Sequence, residues 1–160
     1  MVWICRILLL LSFSLFWGGL TFYTGFVVRI SHDVLSDPMD GGLITQRVTS
    51  LLQVLGAVTC ALMFCNAVVI AKVSFRHGRV LIACAVVLAL SLVGLFIVHG
   101  QLDAVIDVQD GVVTNRDAFV VGHRRYNQLT TVEWISSIIY LPVTVLAWRH
   151  IDSAQGTVET

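Results

Sequence analysis

Charge is scarce in this chain of 160 residues: Asp, Glu, Lys and Arg make up 12% of it, about half the share of an ordinary soluble domain. So few charges cannot cover a water-facing globule. Net charge is lacking too, with ten basic residues against ten acidic, so nothing global attracts a polyanion and no nucleic-acid partner is expected. The four cysteines, Cys5, Cys60, Cys65 and Cys84, form no C-x-x-C pair and lie in or beside apolar runs, which excludes a disulfide framework. There is no phosphate-binding glycine loop, no H-E-x-x-H and no serine nucleophile with an evident base. The reading therefore leans away from an enzyme. What is abundant is apolar: 57% of residues are hydrophobic and the mean hydropathy is +0.87. A disordered chain is excluded, and the class is a small integral membrane protein.

A charge-free run of about 18 residues crosses a hydrocarbon core roughly 30 Å thick, since a helix rises about 1.5 Å per residue. Ile7 to Val28 gives 22 such residues, Val48 to Ala71 gives 24 and Val80 to Val98 gives 19. The fourth run, Trp134 to Trp148, has only 15. It spans if the helix begins near Asn127 and carries Glu133 about one turn into the membrane. The first run is too long for a signal peptide and ends in Gly25-Phe26-Val27-Val28-Arg29 without a small-residue cleavage site. Four spans are expected, about 7–28, 48–71, 80–98 and 127–148, in a single domain over 1–150. Residues 151–160 should be a flexible polar tail.

Orientation follows the Lys and Arg residues. Arg6, Lys72, Arg76, Arg79 and Arg149 fall at one end, and Arg29, Arg47, Arg116, Arg124 and Arg125 at the other. The count ties. The acid-free short link Lys72 to Arg79 carries most weight, so both termini are expected to be cytoplasmic, in a cell (inner) membrane of a bacterium.

In the first connection, Ser36-Asp37-Pro38 and Asp40-Gly41-Gly42 have turn chemistry, and Ile44 to Arg47 should open the second helix. The second connection is a tight hairpin. In the third, Leu102, Val105 and Ile106 are spaced for a short amphipathic outer helix, broken by Gln109-Asp110-Gly111. Thr114 and Asp117 then fit a capping box for one continuous helix from Arg116 to Trp148. The first and third connections together should form an ordered outer cap.

Helices in lipid associate through close packing and a few polar contacts. Ser14, Gly18, Thr21 and Gly25 form a small-residue stripe on span one. Gln53, Gly56 and Cys60 share a face of span two, and Ala85 and Ala89 lie on span three. All read as packing positions. Span four is more informative: Tyr126, Thr130, Glu133, Ser137, Tyr140 and Thr144 recur at three- and four-residue steps along one face. Pro142 should free the carbonyl of Ile138 at the same depth. A carboxylate within a span costs about 2.5–3.5 kcal/mol on insertion scales, which marks Glu133 as a functional candidate. Its ordinary readings are access to water at the interface or a structural ion pair. Arg29, His32, Arg47, His99, His123, Arg124 and Arg125 fall near the outer mouth, with Gln53 about two turns inside. The expectation is a polar cluster there, with Glu133 paired to Arg29 or Arg47.

Haem needs two histidines facing each other across the bundle. None of the five is mid-span; the pairs His32/His99 and His77/His150 are geometrically feasible, but interfacial histidine is the commoner explanation. Cys60, Met63 and Cys65 are soft donors of the kind copper(I) prefers, although buried Cys and Met are commonly filler. No cofactor is expected.

The stretches Trp17-Gly18-Gly19-Leu20-Thr21-Phe22-Tyr23, Val27-Val28, Val34-Leu35 and Gly42 to Thr49 resemble a family of small bacterial four-helix membrane proteins of unknown function, itself loosely similar to a eukaryotic transmembrane family. So do His123-Arg124-Arg125-Tyr126 and Thr130-Thr131-Val132-Glu133-Trp134. The resemblance implies a four-span bundle and supplies no activity. It also implies a proline where this chain has Arg29, and a glutamine where it has Glu133. The two departures add a charge pair.

The expectation is an all-α four-helix transmembrane bundle. Its leading function is a non-enzymatic accessory or structural subunit of a membrane complex, its partners being lipids and other membrane subunits or copies of itself. The alternative is a small transporter or proton- or ion-handling protein using the polar face around Glu133. A haem- or quinone-linked redox protein is the third reading.

Overall fold

The computed structural model describes residues 2–107 and 112–156, except for the side chains at 2, 32, 38, 39, 155 and 156. Four helical rods run up and down in one bundle. The first comprises α1 (Val2–Phe22), a π-helical turn (Tyr23–Val27) and α2 (Val28–Val34) without a break. The others are α3 (Pro38–Val73), α4 (Phe75–Asp103) and α5 (Arg116–Gly156). A two-stranded antiparallel ribbon, β1 (Ile106–Asp107) with β2 (Val112–Val113), links α4 to α5 in the register Ile106 to Val113 and Asp107 to Val112. All four rods are long and apolar enough to cross a membrane. Four of four is the span count read from the sequence.

The buried positions show why these runs fold as they do. Along α3 the main stripe runs Thr49, Gln53, Gly56, Cys60, Met63, Ala67 and Ile70 in alternating steps of four and three, with Thr59 also buried beside it against Ser12. Along α1 the buried positions fall at Leu9, Phe13, Phe16 and Leu20. Each rod thus turns one stripe inward. α4 lies between α3 and α5, and α1 seats mainly on α3. The opposite faces expose Leu8, Leu11, Leu15, Val54, Val58, Leu90, Val93, Ile138 and Leu146. That much apolar surface suits lipid, not water. The chain is a multi-pass membrane protein.

Several local expectations change. α3 begins at Pro38, since proline at the first helical position forfeits no hydrogen bond; Asp40-Gly41-Gly42 is helix, not turn. The expected outer amphipathic helix is not formed. α4 instead runs on through Leu102 to Asp103, and the backbone then pairs as a ribbon whose end is fixed by Thr114, donating its N–H (2.9 Å) and hydroxyl (3.1 Å) to the Val105 carbonyl. The Gln109-Asp110-Gly111 break lies outside the described residues. With Thr114 so engaged, Asn115 caps α5: its Oδ1 accepts the Ala118 N–H at 3.0 Å. α5 is continuous past Pro142 and stays helical to Gly156, so residues 151–156 of the expected tail are helix; 157–160 lie outside the described residues.

The small-residue stripe of span one is also placed differently. A side chain at Gly18 or Gly25 would meet nothing within 4 Å, and the large residues of α1 do the packing instead. On α3 the expectation holds: a Cβ on Gly56 would come within 2.8 Å of the Phe16 ring and 3.1 Å of Leu92. The termini meet at one end, where Arg6 forms a two-pronged pair with Asp152 at 2.8 and 2.9 Å. Arg6 also lies over the Trp148 ring at 5.0 Å and the Trp3 ring at 5.5 Å.

Candidate functional site

The inward stripe of α5 carries Glu133, Ser137, Tyr140 and Thr144 into the bundle, each 1% exposed or less. Helical spacing alone puts them there. Glu133 lies 16 residues before Arg149, about 24 Å along the helix. That places it near one turn below the far boundary of a core roughly 30 Å thick.

Glu133 faces a small cavity of about 20 Å³, enough for one water and little more. Phe16, Leu20, Leu52 and Leu95 make its apolar wall. Its polar wall comes from three other places. Tyr23 and Thr24 enter from the π-helical turn, Thr49 and Gln53 from α3, and Tyr126 and Thr130 from α5 itself. The turn matters because a π-helical insertion re-aims the residues that follow it, and such insertions recur at functional sites. The Glu133 Oε1 atom has no hydrogen-bond partner among the described residues.

Above the cavity polar groups form two hydrogen-bonded sets that meet at one ring contact. Gln53 donates Nε2–H to the Tyr126 hydroxyl oxygen at 3.2 Å. The Tyr126 ring lies 6.3 Å from that of His99, whose Nε2 is 3.0 Å from Ser50 Oγ and 3.5 Å from Asp103 Oδ2. Gln46 donates to the other Asp103 oxygen at 2.7 Å. The Asp103 side chain is 39% exposed. A file of polar groups therefore leads from the surface, at the end away from the termini, to the cavity wall.

Below Glu133 the file is interrupted. Ser137 and Thr144 are buried with hydroxyls that find no partner among the described residues. Between them Tyr140 donates to the Met63 carbonyl at 2.6 Å and accepts from Asn66 Nδ2 at 2.9 Å, while Asn66 Oδ1 accepts the Trp148 indole N–H at 3.1 Å.

The expected Glu133 ion pair is not formed. Arg29 and Arg47 are exposed and neither makes an ion pair among the described residues. Helical phase explains Arg47: it stands two residues before inward-facing Thr49, about 200° around the helix. Of the proposed outer cluster, Gln53 reaches the cavity and His99 the file above it. His123 and Arg124 project outward, and the His32 side chain lies outside the described residues. Sequence reading missed Tyr23, Thr24, Gln46, Thr49, Ser50, Asn66 and Asp103 as site residues. The four-residue spacing of His99 and Asp103 was the one available signal.

His77 and His150 come together at the terminal end, ring centres 6.1 Å apart, with His77 Nδ1 2.8 Å from Ser74 Oγ. Cys60 and Met63 point inward but Cys65 outward, so the three soft donors do not converge. Among the described residues no three His, Cys, Asp or Glu side chains are grouped to hold a metal ion.

No family model matches the chain, and no curated protein or solved structure is similar to it. The likeness to a bacterial membrane-protein family rests on its short motifs alone.

Proposed function

We propose that this protein binds and releases a proton, or exchanges it for a small cation, at Glu133, with access from the end of the bundle opposite the termini. The observation that carries the reading is a fully buried carboxyl that has, among the described residues, an unpartnered oxygen, no basic residue lining its site and a water-sized cavity in front of it. An acid at this depth is costly to keep where it only fills space, and an arginine partner would have made it a structural pair. With that pair missing, the proton or a cation is what remains to meet the charge. The Asp103–His99–Tyr126–Gln53 file supplies the route. On the positive-inside argument, the entrance lies outside the cell membrane and the termini lie in the cytoplasm.

The test is flux. Purified protein in closed vesicles with an internal pH dye should dissipate an imposed proton gradient, and Glu133→Gln, which keeps shape and hydrogen bonding, should slow it about tenfold or more. Equal rates in a variant that folds and reconstitutes as well as the wild type would reject the reading.

A second reading, an accessory subunit or a homo-oligomer, is favoured by a different observation. Ser14 and Gly18 of α1 and Gly25 of the π-helical turn leave small-residue surface on the first rod that its own chain does not cover. Small residues of this kind suit close approach by another helix. Native mass spectrometry in mild detergent separates the readings, since a subunit copurifies with its partner or itself.

A further inference from the structure

We infer that the groove between the outer halves of α4 and α5 binds one anionic phospholipid. This site is separate from the Glu133 cavity and does not depend on it. The groove has a volume of about 370 Å³ and is graded in polarity along its length. Its deep end is Gly94 with Val132, its middle Ile97, Val98 and Leu129, and its upper end Gln101, Gln128 and Arg125. From Gly94 to Gln101, and from Val132 back to Arg125, is seven residues on each helix, about 10 Å of rise. The apolar part therefore falls within the expected spans 80–98 and 127–148, with Gln128 at the end of the second and Gln101 and Arg125 beyond them.

That grading matches a lipid crossing from acyl chain to headgroup. An apolar groove alone would fit any hydrocarbon. Arg125 selects among them: it is exposed, lines the groove and makes no ion pair among the described residues. A planar guanidinium binds phosphate oxygens in a two-pronged geometry, and the two glutamine amides beside it add donors. Gly94 sets the shape of the groove floor, because a Cβ there would come within 3.0 Å of Leu129 on α5. The neighbouring Arg124 does not line the groove: it lies about 100° round α5, in an adjoining recess with His123, Asn127 and Thr131 that meets the groove at Gln128.

The experiment uses the full-length protein in mild detergent with equal amounts of phosphatidylglycerol and phosphatidylcholine, and native mass spectrometry to count bound lipid. Phosphatidylglycerol should be retained in preference. Arg125→Gln should lower its retention about fivefold, the scale of one basic side chain at an anionic lipid surface, while Arg124→Gln should leave it unchanged. Equal retention of the two lipids by the wild-type protein, or the same loss in both variants, would overturn the assignment. Both arginines are exposed, so neither change threatens the fold.

Discussion

At Tyr140 one hydroxyl answers two neighbours, donating to the Met63 carbonyl and accepting from Asn66, which in turn holds the Trp148 indole. Removing it leaves an amide hydrogen of half-buried Asn66 without its acceptor, inside a span where water does not replace it. Tyr140→Phe should therefore cost about 1–2 kcal/mol, the upper part of the range for hydrogen bonds between membrane helices. Thr21→Val also removes a hydrogen-bond partner, the acceptor of the Trp134 indole at 3.0 Å. Trp134 is 37% exposed, so its loss should cost less. Thermal unfolding in detergent measures both; equal midpoints would place no value on the Asn66 relay. At this scale the sequence was only half legible. The three- and four-residue spacing of Tyr126 through Thr144 put Glu133 and Tyr140 inside. It could not say which side chains on other helices stand opposite them, since that depends on how the rods are turned against one another.

Among the elements, the α3–α4 hairpin is the tightest joint: only Ser74 separates the two helices. A Cβ on Gly78 would lie 2.3 Å from the Ala71 Cα. Backbone cannot yield there as a flexible side chain would. Gly78→Leu should cost at least about 1–3 kcal/mol by overpacking and lose the monodisperse peak on size-exclusion chromatography. Gly18→Ala, whose Cβ meets nothing within 4 Å, should keep it. An intact peak for the Gly78 variant would mean that the hairpin is looser than the structure has it. The hairpin was legible because its two apolar runs are joined by a short basic link. The start of α3 was not: Asp40-Gly41-Gly42 has turn chemistry locally, yet Pro38 nucleates a helix that packing further along then carries through it. The π-helical turn left no mark either, because Tyr23 to Val27 reads as ordinary apolar helix. Leu102, Val105 and Ile106 misled for a related reason. Helical spacing over three residues is also met by the last turn of α4 followed by a strand.

For the molecule as a whole, the two termini are tied by the Arg6–Asp152 pair at one end, while the polar file opens at the other. Between the ends, an acid sits within the bundle with no basic partner among the described residues. Four-span architecture follows from composition and run length alone, whereas the fate of Glu133 depended on Arg29 and Arg47 facing away. The most direct test is infrared difference spectroscopy of the reconstituted protein, comparing wild type with Glu133→Gln across a pH step and after transfer to deuterated buffer. The expected result is one carboxylic C=O band that responds to pH, shifts on deuteration and is lost in the variant. A spectrum without a Glu133-dependent band, or a band that never exchanges, would contradict an acid that takes up and gives off protons.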